Sequence, residues 1–216
     1  MNKLMSKVFG WMFAGLLLTF LVAYYVSIHS NTVAKLLGGS LYIVLIIVEL
    51  ALAIFLAARV FKMKPTTAKV TFLLYSIVSG FTFSSIFVTY ELTSIVYVFL
   101  ITSVIFGLFA AIGYFTKLDL TKIGTYLIIG LFGAIICAVI NIFMHNSTFE
   151  LIISLIMVVV FIGFTAYDVQ KIKQISNDNT LPEDNLAIYG ALQLYLDFIN
   201  LFIELLRIFG NLNDNK

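Results

Sequence analysis

Seven long apolar stretches separated by short polar breaks divide the chain from end to end. They lie at about 8–28, 41–61, 70–90, 93–115, 123–144, 149–170 and 188–209, each near the ~20 residues a helix needs to cross a bilayer core. The breaks read HSNTVAK, KMKPTTAK, YELT, TKLDLTK, HNST and KQISNDNTLPEDN. None is long enough to separate two domains, so the pattern predicts one all-α, seven-helix membrane domain over residues 1–216. Lys3 and Lys7 ahead of the first stretch imitate a signal peptide. That run is long enough to span and lacks a small-x-small cleavage site, so it is expected to be a retained first span.

Finer spacing adds contacts and a face. Ser76, Gly80 and Ser84 in the third stretch, and Gly107 with Ala111 in the fourth, form rows of small residues that predict close helix packing. In the seventh stretch, Gln193, Asp197, Asn200, Glu204 and Arg207 follow one another at intervals of 4, 3, 4 and 3. Such spacing puts all five on one helix face. A charge centred in the bilayer costs roughly 2.5–3.5 kcal/mol even on the lenient insertion scale. This face is therefore expected to turn toward protein or water.

Composition agrees: 62% of residues are hydrophobic and 11% charged, where soluble domains carry about a quarter charged residues. A net charge of +2 without a basic tract points to no nucleic-acid partner. The single Cys137 cannot form an internal disulfide and is expected to pack as a buried small hydrophobe. With the N-terminus inside, ten basic residues fall on the inner side and three, Lys35, Arg207 and Lys216, on the outer. The positive-inside rule thus predicts a cytoplasmic N-terminus and an external C-terminus.

Within the seam, Glu204 and Arg207 can pair at i, i+3, and Arg207 can also snorkel to the headgroups. Asn200 is a candidate for interhelical glue. Asp197 has no basic residue within one turn, and Asp168, in GFTAYDVQKIK, offers itself as a partner from the sixth helix. Asp197 lies about ten residues, or about 15 Å, into its helix, and Asp168 should be shallower. A meeting requires the seventh helix to begin a turn later or the pocket to be funnel-shaped. Two carboxylates brought together in low dielectric cannot both ionise cheaply, and the pair holds one proton between them. The alternative is two carboxylates solvated separately at the inner interface.

Glu49, in VLIIVELALAIF, is either an ion-path residue or a protonated donor across a helix interface. Arg59 closes the same helix as a membrane anchor or as a counter-ion to the carboxylates. His29 and His145 fall in outer loops and are expected to be solvated. SNDNTLPEDN lacks the glycine and terminal glutamate of a calcium loop and reads as an ordinary connector.

FIGFTAYDVQKI (161–172) and ALQLYLDFINLFIELLRIFG (191–210) resemble the signature ends of the transmembrane Bax inhibitor motif family, with further likeness in FTKLDLTKIG and in NIF at Asn141. The resemblance covers essentially the whole chain. It implies two three-helix layers around a central seventh helix and an activity of pH-sensitive calcium leak. It further implies that Asp168 and Asp197 share a proton at the cytoplasmic mouth of the pore and that Arg59 latches onto them. It gives Glu204 no role.

Hard cations prefer several oxygen ligands, and carboxylate rings are common cation filters. Asp168 and Asp197 are the expected calcium ligands, with Glu49, Asn200 and Glu204 along the path. No cofactor is expected; calcium is cargo, and the other partners are protons and the lipid bilayer, in a bacterial plasma membrane. An intramembrane aspartyl protease, as in the presenilin arrangement, uses the same dyad chemistry. Here Leu194, Tyr195 and Leu196 stand before Asp197 in place of Gly-x-Gly, which argues against an enzyme. No H-E-x-x-H is present, and no lysine lies in the seventh helix for a retinal Schiff base. A proton-coupled transporter is the other alternative.

Overall fold

Seven helices account for almost all of the computed structural model, which describes residues 3–29, 39–176 and 181–210. They are α1 (Lys3–Ser27), α2 (Ser40–Arg59), α3 (Pro65–Thr89), α4 (Leu92–Phe115), α5 (Thr121–Met144), α6 (Ser147–Ile175) and α7 (Glu183–Phe209). All seven are long and apolar enough to cross a membrane. The protein is thus an all-α, seven-helix membrane protein.

Local chemistry sets the breaks. A 3-10 turn, Val60–Lys62, ends α2, and Pro65 opens α3 at the first helical position, where its missing N–H costs nothing. His145 ends α5 in the left-handed conformation at φ 49, after which the Asn146 side chain accepts from Phe149 N at 2.9 Å to start α6. Asp119 accepts from both the backbone N–H (2.9 Å) and the hydroxyl (2.6 Å) of Thr121, fixing the start of α5.

The helices group into two units, one of α1–α3 with α7 as far as Tyr195, the other of α4–α6 with α7 from Leu196. In the first, α1 and α3 approach closely at two glycines. A Cβ on Gly15 would lie 2.7 Å from the Phe72 ring, and one on Gly80 would lie 2.6 Å from Val22. The Ser76–Gly80–Ser84 row is buried there as its spacing predicts. The Gly107–Ala111 row is not a contact: both residues are exposed and nothing lies within 4 Å of a Cβ on Gly107. That face is free for lipid. In the second unit, the close approaches are instead Gly113 under the Ala166 carbonyl, Gly124 against the Tyr167 ring and Gly163 against Leu127.

Four helix ends run five residues past the stretches that hydropathy marks: α1 begins at Lys3 and α3 at Pro65, and the other two meet at the last connection. α6 continues to Ile175, and α7 begins at Glu183. The expected connector SNDNTLPEDN therefore ends inside α7, its residues 177–180 lying outside the described residues. Lys7 pairs with Glu183 and Asp184, both at 3.1 Å, and Lys69 with Asp184 at 2.7 Å. The fully buried Asn185 donates to the carbonyls of Val60 and Met63, closing the end of α2. Cys137 is half-buried, not enclosed. His29 and His145 are exposed as expected.

Candidate functional site

α7 is the most enclosed helix. Two-thirds (67%) of its most apolar window is buried, against 39% or less in every other helix. Of the polar seam, Asp197 and Glu204 are buried among Leu194, Tyr195, Phe198, Leu201 and Leu205, Gln193 and Asn200 are half-buried, and Arg207 is exposed. Burial on all sides is what a helix carrying charges in an apolar stretch requires, since polar groups facing lipid have no partner.

Asp168 sits where α6 is held by both of its neighbours. Two residues before it, the Ala166 backbone presses on Gly113 of α4; beside it, Tyr167 packs on Gly124 of α5. Two residues after it, Gln170 donates to Leu118 O at 2.7 Å and accepts from Leu120 N at 2.9 Å, tying α6 to the α4–α5 connection. Lys173 Nζ donates to Tyr114 O at 2.8 Å, and Lys171 lies over the Tyr167 ring at 5.6 Å. Next to Asp197, the Phe198 ring is wedged between Phe99 and Phe106, at 5.3 and 5.4 Å. Neither backbone has room to drift.

The structure brings the two aspartates together. Asp168 and Asp197 are 6% and 5% exposed, and their carboxyl groups stand at hydrogen-bonding separation. Two carboxyls bond to one another only if at least one of them supplies an O–H. Asp197 Oδ2 is buried with no partner. Lys171, one turn along α6, is the cation that acts on Asp168. The meeting does not come from a late start of α7, which begins five residues before the predicted 188.

The remaining candidates lie as follows. Arg207 pairs with Glu204 at 3.4 Å, with side chains 45% and 9% exposed, and Glu204 Oε2 is buried without a partner. Asn200 donates to Leu196 O of its own helix at 2.7 Å, so its N–H bond is not interhelical. Glu49 and Arg59 belong to the first unit. The Glu49 carboxylate accepts from Ser79 Oγ at 2.6 Å, while Arg59 ends α2 exposed.

Around Glu49 lies a group of buried hydroxyls that sequence reasoning missed. Ser79, bonded to Glu49, lies near the buried Tyr75 and Tyr195. The Tyr195 hydroxyl meets Thr19 Oγ1 at 2.7 Å, and Thr19 donates to Ser76 O at 2.9 Å. Glu49 was the visible signal; the hydroxyls alone carry none, because serine and threonine in apolar helices commonly bond back to their own backbone.

These features define a class: a seven-helix membrane protein whose last two long helices carry a buried carboxyl pair. Residues 1–214 match the family described as Inhibitor of apoptosis-promoting Bax1 (Bax1-I), and the chain belongs to that family. It is 41% identical over 212 residues to Inner membrane protein YbhL of Escherichia coli, an alignment covering 96% of this chain and 91% of that protein. It is also 41% identical over 213 residues to an uncharacterized protein of Borreliella burgdorferi, covering 97% and 92%. With an uncharacterized protein of Deinococcus radiodurans it shares 33% over 212 residues, covering 97% and 90%.

Proposed function

We propose that the protein is a pH-sensitive calcium leak of the bacterial inner membrane, switched by the proton that Asp168 and Asp197 share. The observation that carries this reading is the buried carboxyl pair with one oxygen, Asp197 Oδ2, left unpartnered. A buried acceptor without a donor calls for an explanation such as an ion, a water or a reaction. Loss of the shared proton turns the pair into a double negative charge that is costly in low dielectric. A passing cation relieves that cost. Two carboxylates supply only part of the six to eight oxygens that calcium takes, which suits transit with water better than residence. Asn200, Glu204 and Glu49 are the further oxygen-bearing side chains of the proposed path.

Arg59 is proposed as the latch: a guanidinium that holds the ionised pair and releases the protonated one. The basic-residue count supports an N-terminus inside, so that the pair would face the cytoplasm. A relative named as an inner membrane protein supports the location. Proteolysis is the weaker reading, because Leu194 and Tyr195 ahead of Asp197 are fully buried and leave no room for a substrate backbone.

The experiment is calcium flux into liposomes measured from the acid to the alkaline side of neutrality, with Asp168→Asn and Asp197→Asn. The expected result is a pH-dependent flux in the native protein that becomes flat in both variants. Identical pH profiles in all three proteins would end the proposal.

A further inference from the structure

The connection between α2 and α3 is held by α7. Asn185, fully buried in the first turn of α7, donates through Nδ2 to the carbonyls of Val60 and Met63, the latter at 2.8 Å. Val60 O also accepts from Met63 N at 3.3 Å, so both of its lone pairs are in use. One turn further along α7, the Tyr189 ring packs on Phe61 with centroids 5.2 Å apart. Residues four apart are neighbours on a helix surface. Asn185 and Tyr189 therefore act together, one on the backbone of the Val60–Lys62 turn and the other on its aromatic side chain.

That turn begins directly after Arg59. Helix ends ordinarily fray, and a guanidinium on a long stem is placed only as well as the backbone beneath it. Here Val60 is fully buried, and its N–H closes α2 on Leu56 O. The backbone at Arg59 is thus pinned while its side chain stays exposed. The acids beside Asn185 do not capture it: Glu183 pairs with Lys7, and Asp184 with Lys7 and Lys69. None of the ion pairs among the described residues includes Arg59.

We propose that Asn185 and Tyr189 are positioning residues for Arg59, an assignment that rests on the latch role proposed above. They hold the end of α2 so that the guanidinium starts from one fixed point. α7 then carries both Asp197 and the support of the cation that latches the pair. Asn185 Oδ1 is buried without a partner, so the amide works here as a donor. A side chain of the same length without the N–H cannot replace it, because two carbonyls would face an acceptor.

Calcium flux of the full chain in liposomes, followed across neutral pH, tests it with Arg59→Gln, Asn185→Ala, Tyr189→Leu and the double variant Arg59→Gln/Asn185→Ala. Asn185→Ala should displace the midpoint of the pH profile in the same direction as Arg59→Gln, and Tyr189→Leu should do so by less. The double variant should coincide with Arg59→Gln, because a support has no effect once the guanidinium is gone. A merely structural Asn185 lowers flux at every pH and leaves the midpoint in place. That result, beside a displaced midpoint in Arg59→Gln, overturns the proposal and leaves the latch standing; shifts that add in the double variant overturn it equally. A flat native profile, or an unmoved midpoint in Arg59→Gln, removes the latch and this proposal with it. Should Asn185→Ala lose its helical signal, Tyr189→Leu with and without Arg59→Gln decides by the same comparison.

Discussion

The two units solve the same problem, polar groups inside an apolar bundle, in opposite ways. In the first, the buried polar atoms are mostly hydroxyls, which both give and accept: Tyr195 meets Thr19, Thr19 donates to Ser76 O, and Ser79 donates to Glu49. The second holds the three buried carboxyls, Asp168, Asp197 and Glu204, beside hydroxyls such as Thr102 and Thr165, and Asp197 Oδ2, Glu204 Oε2 and Ser154 Oγ are buried there without partners, against Asn185 Oδ1 in the first. A connected network gives rigidity and specificity. Unfilled acceptors are a standing cost that an ion, a water or a reaction relieves. The comparison sets a hydroxyl-rich group in the first unit against the carboxyl pair in the second, to which the switching role is proposed.

The largest expected effect tests the switching half. Asp168→Asn and Asp197→Asn remove the pH response of calcium flux while leaving the thermal midpoint in detergent close to native, because asparagine keeps the shape and supplies the hydrogen the pair needs. A lost fold in either variant would make the pair structural and break the contrast.

Next in size is packing beside the pair. A Cβ on Gly113 falls on the Ala166 backbone, which cannot rotate away, so Gly113→Ala should destabilise by about 1–3 kcal/mol. Gly107→Ala, on the same helix with open space around it, should fall within about 0.5 kcal/mol of native. Thermal melting of the two variants side by side checks both. Equal melts would mean that α4 does not press on the turn holding Asp168.

The first unit should answer in the opposite sense. Tyr195→Phe deletes one hydroxyl and leaves Thr19 short of a partner, at a cost of about 1–2 kcal/mol. Melting should report that loss while the pH profile of flux keeps its shape. A profile that flattens as it does in Asp197→Asn would place Tyr195 in the switch and merge the two regions.

These regions were unequally legible from the sequence. Seven spans are plain in hydropathy because twenty apolar residues in succession have few alternatives. Their ends are less plain: α6 runs on through Lys171, Lys173 and Ile175, and α7 starts at Glu183 and Asp184, where charged residues read as loop. Tertiary ion pairs from Lys7 and Lys69 hold that start, and no local pattern announces them. Asp168 and Asp197 stood out because a charge in an apolar run is costly and therefore rare. Thr19, Ser79 and Tyr195 did not, since Thr102, Ser103 and Thr165 look the same and merely bond to their own helices. The row at Gly107 failed for a related reason: spacing tells which residues align, not whether a neighbour faces them.

The smallest effect belongs to an acid outside the bundle, and it calibrates the others. Asp119, in the connection between α4 and α5, accepts from the Thr121 hydroxyl and the Thr121 N–H, and these bonds hold its carboxyl below the ordinary 3.8. A carboxyl depressed by folding stabilises above its unfolded value, and that contribution fades as the pH falls through the folded value. Its influence is therefore confined to strongly acid conditions, well away from the neutral range in which the shared proton of Asp168 and Asp197 is proposed to act. Asp119→Asn should leave the flux profile near neutrality unchanged and slightly raise amide exchange at the start of α5, where the accepting oxygen is weakened. A flux profile that moves with Asp119 would mean that surface carboxyls contribute to the pH response, and the burial of Asp168 and Asp197 would no longer distinguish them.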